Sequence, residues 1–106
     1  MQTAKELLKF IESSPSCYHV IRNFRELLRA EGYTELYEQE KWTLTQGGKY
    51  FVVRNESSVI AFRVPGFDFT GFMMSAAHSD SPTFKIKENP ELANAFCVRL
   101  DTEKYG

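Results

Sequence analysis

Long apolar runs are missing from this sequence of 106 residues, and so is any excess of charge of one sign, since thirteen Lys and Arg stand against fourteen Asp and Glu for a formal net charge of -1. No run approaches the roughly 20 apolar residues that a membrane-crossing helix needs. The near-zero charge gives no electrostatic footprint for nucleic acid or for an anionic membrane surface, so neither is expected as a partner. The opening Met1-Gln2-Thr3-Ala4-Lys5-Glu6 brings an acid early and no uninterrupted apolar stretch, so it does not read as a secretory signal. Cysteine is scarce as well. Cys17 and Cys97 form no Cys-x-x-Cys pair and lie in different kinds of segment. Without an export signal the expectation is two free, buried thiols and a cytoplasmic protein. Internal repeats and low-complexity tracts are absent too.

What is present is the material of an ordinary globular protein. The apolar fraction is 42%, and nine Phe and five Tyr supply large pieces of buriable area. The length suffices for one domain with one core, so residues 1–106 are read as a single unit.

The first third reads as helix. Thr3 followed by Glu6 predicts a capping box, and Ala4, Leu7, Leu8 and Ile11 recur at helical spacing. Ser13-Ser14-Pro15 predicts the end of that helix, because proline disfavours helix in the residue before it. Ser16 is the next candidate cap. Cys17, Val20, Ile21, Phe24, Leu27 and Leu28 then form a second apolar stripe, predicted to face the core, and Gly32 suits the left-handed position after a helix C-terminus. From Tyr33 onward the composition turns to β-branched and aromatic residues. Tyr50-Phe51-Val52-Val53-Arg54 and Ser58-Val59-Ile60-Ala61-Phe62-Arg63-Val64, with Asn55-Glu56-Ser57 between them, predict a hairpin. Trp42 is expected to pack between the helical part and this hairpin. Gly71-Phe72-Met73-Met74-Ser75-Ala76-Ala77 is a continuous apolar run of strand length, as in a strand covered on both faces. Phe84-Lys85-Ile86-Lys87 and Ala95-Phe96-Cys97-Val98-Arg99-Leu100 predict further strands, Lys85 and Lys87 sharing a solvated face. Helices first and strands after give an α/β or α+β class.

The sharpest chemical feature is Ala77-His78-Ser79-Asp80-Ser81-Pro82, directly after the predicted buried strand. In open α/β sheets ligands sit beyond the carboxyl ends of strands. In extended backbone, side chains two apart share a face, so His78 and Asp80 point one way and Ser79 the other. A carboxylate beside an imidazole fixes its tautomer, an arrangement used behind metal-bound histidine; the same pair could serve general acid-base chemistry. A Ser-His-Asp triad is disfavoured, because Ser79 faces away and Ser81 lies at another height. His19, early in the second helix, has no metal partner at helical spacing and reads as a surface or packing residue.

Several blocks together resemble the aspartyl aminopeptidase family. They are Ser14-Pro15-Ser16-Cys17-Tyr18-His19-Val20; Gly32-Tyr33-Thr34-Glu35-Leu36 with Glu40-Lys41-Trp42; Gly48-Lys49-Tyr50-Phe51 with Arg54-Asn55-Glu56-Ser57-Ser58 and Ile60-Ala61-Phe62; and Ala77-His78-Ser79-Asp80-Ser81-Pro82 with Lys85 and Lys87 downstream. They occur in family order over nearly the whole chain. Cys17 stands where family members commonly have proline. The resemblance implies a homo-oligomeric dinuclear zinc aminopeptidase that removes N-terminal residues, Asp or Glu among them, from peptides, with its site at the edge of the central sheet of a three-layer α/β domain. Residues 1–106 would then be the truncated N-terminal part of that catalytic domain, two helices followed by a hairpin and further strands. The resemblance makes His78 a zinc ligand and Asp80 the active-site carboxylate that orients it without binding metal; His19 receives no role. It also implies that the remaining ligands, a bridging Asp, a pair of Glu, another Asp and a last His, follow a Glu-x-Tyr-Gly-Gly segment begun by Glu103-Lys104-Tyr105-Gly106. The 106 residues alone are therefore expected to be inactive and to bind zinc weakly. Two rivals stand beside this reading. One is a non-catalytic, self-associating module. The other is a different metal-dependent amidohydrolase with the same strand-His-x-Asp layout.

Overall fold

The computed structural model describes residues 2–105. Two helices, α1 (Gln2–Glu12) and α2 (Cys17–Ala30), precede five strands, β1 (Thr34–Leu36), β2 (Lys49–Arg54), β3 (Ser58–Arg63), β4 (Thr83–Ala93) and β5 (Val98–Tyr105). The mixed α/β class with two helices and then strands is thus the observed one. The strands form a three-stranded sheet in the order β1-β2-β3 and a separate β4-β5 ribbon.

Helix boundaries follow local chemistry. Helix α1 stops at Glu12, before Ser13-Ser14-Pro15 as the proline predicts. Its start differs from the expected capping box, for Thr3 is already helical. Ser16 is the N-cap of α2 with extended φ -143° and ψ 164°. Its hydroxyl meets His19 Nδ1 at 2.7 Å instead of a backbone amide. At the other end Gly32 has φ +78°. The Gly32 amide donates to the Arg29 carbonyl at 3.1 Å and the Tyr33 amide to the Leu28 carbonyl at 2.9 Å. This paired closure satisfies two orphan carbonyls and turns the chain into β1.

The predicted hairpin is present, with Tyr50 opposite Phe62 and Arg54 opposite Ser58. Asn55 and Glu56 at its turn both take positive φ, 51° and 53°. Left-handed turn residues match the twist of the flanking strands. Strand β1, which the sequence did not reveal, runs parallel to β2 with Glu35 opposite Phe51.

Residues opposite each other share a sheet face. Glu35, Phe51 and Ala61 therefore line one side, the side of α2, since Arg25 and Arg29 of that helix both reach Glu35. Phe51 is completely inaccessible, and Ile21 of α2 nearly so; Tyr50 and Val64 are the other buried large apolar side chains among the described residues. On the other face Tyr50 stacks near Phe62 at 5.7 Å. Its hydroxyl accepts from the Thr45 amide at 2.9 Å. Trp42 lies 6.5 Å from the Phe62 ring and donates through Nε1 to the Tyr37 carbonyl. It thus meets the hairpin as expected, while its other contact is with the loop after β1 in place of the helices.

Three further expectations are corrected. The run 71–77, expected as a doubly covered strand, is irregular and exposed, with Met73 and Met74 fully open. No strand of either sheet pairs with it, and an apolar run without a partner has no reason to be extended and buried. The apolar stripe of α1 is also open, Leu7, Leu8 and Ile11 each being more than half exposed. Its aromatic anchor is Phe10, edge-on to Phe24 at 5.6 Å. The thiols are free, yet Cys17 is half-buried and Cys97 exposed, because the last strand begins at Val98 and leaves Cys97 in the turn of the ribbon.

That ribbon is longer than the sequence suggested and two-sided. Lys85 sits 4.0 Å from Glu103 and Lys87 3.1 Å from Asp101 on one face. Phe84, Ile86, Val98 and Leu100 lie exposed on the other. The Cα radius of gyration, 19.6 Å, exceeds the roughly 13 Å of a compact chain this long.

Two expected outcomes follow from this small core. Phe51→Ala removes a fully buried ring, worth roughly 3–5 kcal/mol, and should abolish a cooperative urea transition, whereas Ile60→Ala, at a position 71% exposed, should stay within roughly 0.5 kcal/mol of the parent. A Cβ at Gly48 would overlap the Tyr50 ring. Gly48→Ala should therefore cost roughly 1–3 kcal/mol, read as a lower urea midpoint at unchanged slope.

Candidate functional site

His78 and Asp80 lie on the irregular connection between β3 and β4. The His78 Nδ1 is 2.9 Å from the Asp80 carbonyl and 3.0 Å from Asp80 Oδ1. Both neighbours are acceptors, so Nδ1 carries the proton and donates. The Nε2 lone pair is then left for a metal or a proton, on an imidazole that is 80% exposed. The tautomer is set by the carboxylate, as behind histidines that bind metal. The structure thus brings His78 and Asp80 together. It also turns Ser79 the other way, where its hydroxyl donates to the Ser57 carbonyl at 3.1 Å. A triad of these neighbours is not formed, because the Ser79 hydroxyl is engaged away from the imidazole.

Whether this pair fits zinc can be asked of its donor set. One imidazole nitrogen with an oriented lone pair fits as a single ligand, but zinc takes three or four protein ligands. Among the described residues no group of three or more His, Cys, Asp and Glu is placed to hold an ion. By itself His78 therefore offers one donor where zinc takes three or four. His19 stands apart on α2, bound to Ser16.

A second polar cluster joins α2, β1 and the hairpin turn, and sequence reasoning missed it. Arg25 donates to Glu56 through both terminal nitrogens at 3.0 and 3.1 Å. Arg29 Nη2 reaches Glu35 Oε2 at 2.6 Å. Arg25 Nε is also 3.1 Å from Glu35 Oε1, close enough for charge attraction, though the alignment is too poor for a directed hydrogen bond. The Glu35 side chain is only 7% exposed. The Glu56 hydrogen bonds, ahead of the Glu35 charge, raise the Arg25 pKa above its ordinary value, so Arg25 is a fixed cation. The available signal was the spacing of Arg25 and Arg29, which puts both on one helix face. A shallow cleft by this cluster is lined by Tyr18, His19, Arg22, Arg25 and Glu56, and another runs along the polar side of α1. Neither is lined by His78 or Asp80. Among the described residues no helix is long and apolar enough to cross a membrane.

Comparison with known proteins connects these features. Residues 10–106 match the family described as "Aminopeptidase I zinc metalloprotease (M18)". A protein of Clostridium acetobutylicum named "Probable M18 family aminopeptidase 2" is 45% identical over 111 aligned positions, covering 100% of this chain and 25% of its own length. The "Aspartyl aminopeptidase" of Dictyostelium discoideum is 38% identical, covering 97% of this chain and 22% of its own length. Among solved structures, that of Chaetomium thermophilum mApe1 superposes with a TM-score of 0.83 at 34% identity, covering 95% of this chain and 24% of that one. The chain spans about a quarter of the length of the curated relatives it matches. With all but its first nine residues matched, and with a fold shared at that identity, the chain belongs to the M18 family of zinc metalloprotease aminopeptidases.

Proposed function

We propose that the protein carrying this chain is a zinc-dependent aminopeptidase that removes N-terminal residues from peptides, Asp or Glu foremost, and that residues 1–106 are the N-terminal part of its catalytic domain. The observation that carries the reading is the His78–Asp80 pair: an exposed imidazole whose Nδ1 is tied at 3.0 Å to a carboxylate two residues on, leaving Nε2 to bind. Family membership supports the peptidase chemistry, and the name of the Dictyostelium discoideum relative supports the acidic preference.

In this reading His78 is a zinc ligand through Nε2, and Asp80 is the active-site carboxylate that holds its ring. Bound zinc supplies Lewis acidity toward the scissile carbonyl and a nucleophilic water at neutral pH. This chain's own contribution is orientation. Asp80 suppresses ring rotation, and the bond from Nδ1 keeps the proton off the binding nitrogen. The other ligands and the general base belong to residues beyond these 106, so the chain alone is inactive and holds zinc weakly. The reading includes a cytoplasmic location and a homo-oligomeric enzyme.

One observation favours a second reading for the 106 residues by themselves. Leu7, Leu8, Ile11, Phe72, Met73 and Phe84 are all more than half exposed. Apolar surface of that extent drives association, so the isolated chain is a self-associating module. A strictly monomeric species in light scattering would remove it.

The full-length protein should release N-terminal Asp or Glu from peptides, lose that activity to a chelator and regain it with zinc. His78→Ala should abolish release, and Asp80→Asn should weaken zinc by about 10–100-fold, measured by chelator competition. Release that persists without metal would refute the aminopeptidase reading. Calorimetry on the 106-residue chain should show no tight zinc site; stoichiometric binding lost in His78→Ala would show instead that this chain builds its own centre.

A further inference from the structure

His78 needs more than a tautomer. A metal ligand is useful only if its backbone is held where the other ligands can meet it. The connection that carries it is poorly held. Among the described residues, 67–82 form no helix or strand, and no backbone hydrogen bond ties them to either sheet. Every residue from 67 to 89 is exposed except one, Ser79. The bonds of His78 to Asp80 are internal to the segment and fix the ring without fixing its position. The single hydrogen bond between 67–82 and the rest of the described chain is that from the Ser79 hydroxyl to the Ser57 carbonyl, 3.1 Å.

The acceptor sits in a well-braced place. Ser57 belongs to the turn of the β2-β3 hairpin, and its amide donates to the Arg54 carbonyl at 3.2 Å. Its neighbour Glu56 takes both terminal nitrogens of Arg25. Arg25 is drawn in turn to Glu35 of β1, which Arg29 also holds. The turn is thereby tied to α2 and to the far edge of the sheet. A bond to its carbonyl therefore ties the segment to this braced turn. The alternation of side chains completes the geometry, with Ser79 pointing inward to the turn while His78 and Asp80 on either side point to solvent.

We propose that Ser79 is a positioning residue for the metal site: its hydroxyl, docked on the Ser57 carbonyl of the hairpin turn, sets where the His78 imidazole stands relative to the sheet. This rests on the reading of His78 as a zinc ligand, and goes beyond it by assigning the neighbouring serine a role that is neither nucleophile nor ligand. The side chain must be short and must donate. Threonine keeps the donor, whereas alanine leaves the Ser57 carbonyl facing a methyl group. Ser81, whose hydroxyl has no hydrogen-bond partner among the described residues, serves as the control.

The test uses the full-length protein and its Ser79→Ala, Ser79→Thr and Ser81→Ala variants, with two readouts besides activity. Hydrogen exchange of the peptide covering 76–82 reports the tether itself, and chelator competition reports zinc affinity. Ser79→Ala should speed local exchange about tenfold and weaken zinc about tenfold. Ser79→Thr should restore both, and Ser81→Ala should match the parent. Unchanged exchange in Ser79→Ala overturns the proposal, and so does faster exchange with zinc affinity intact, since the bond would then hold nothing that matters to the metal. A parent protein that takes up no zinc defeats the aminopeptidase reading instead. The tether then stands if Ser79→Ala speeds exchange and Ser79→Thr reverses it, and falls otherwise.

Discussion

Phe51 can lose all contact with water because β2 is flanked on both sides, by β1 in parallel and β3 in antiparallel pairing, while α2 lies across the face it occupies. Removing any one of the three would open that ring. The parallel partner is the unusual component. A three-residue strand carries little pairing energy of its own, and here it is fixed by the glycine closure of α2 just before it and by the grip of Arg25 and Arg29 on Glu35. A nearly buried carboxylate is tolerable only with such partners, since an unpaired one would cost several kcal/mol. Ionic and apolar contacts act in series: the ion pairs bring β1 alongside β2, and the completed sheet then excludes water from Phe51. Everything placed by the hairpin turn, including the connection that bears His78, inherits its position from this arrangement.

The parts of the fold legible in the sequence were those decided within a few residues. Proline after Ser14, glycine at position 32 and the Asn55-Glu56-Ser57 turn act locally, and each stands where the residues imply. The His78–Asp80 contact was legible for the same reason, being a two-residue spacing in extended backbone. What could not be read depends on distant partners. Strand β1 exists only because β2 is there to pair with it. The run 71–77 has the composition of a buried strand and no neighbour to bury it. The place of Cys97 was settled by where β5 begins, a matter of ribbon register that neither thiol nor flanking apolar residues encode. The burial of Glu35 depends on two arginines of another element.

Composition and shape point in opposite directions. The chain has the apolar content and aromatics of a globular protein, yet among the described residues only four large apolar side chains are buried, and the extents reach 70 × 40 × 23 Å. The apolar stripe of α1, the run 71–77 and one face of the ribbon are each patterned as if for contact. Their common property is apolar patterning without burial, consistent with a chain that spans a quarter of the relatives it matches.

The β4-β5 ribbon shows how such a surface stays orderly. Its pairing runs from Thr83 with Tyr105 to Ile86 with Thr102, then shifts so that Glu91 meets Leu100, with Asn89 at φ +53° in the irregularity. A plain two-stranded ribbon could slide by a residue and turn every side chain to the wrong face. The kink denies that freedom, because a slipped strand would place the irregularity against the wrong partner and separate both lysines from their acids. The ribbon thus behaves as a keyed part, with its charged and greasy sides assigned before anything touches them.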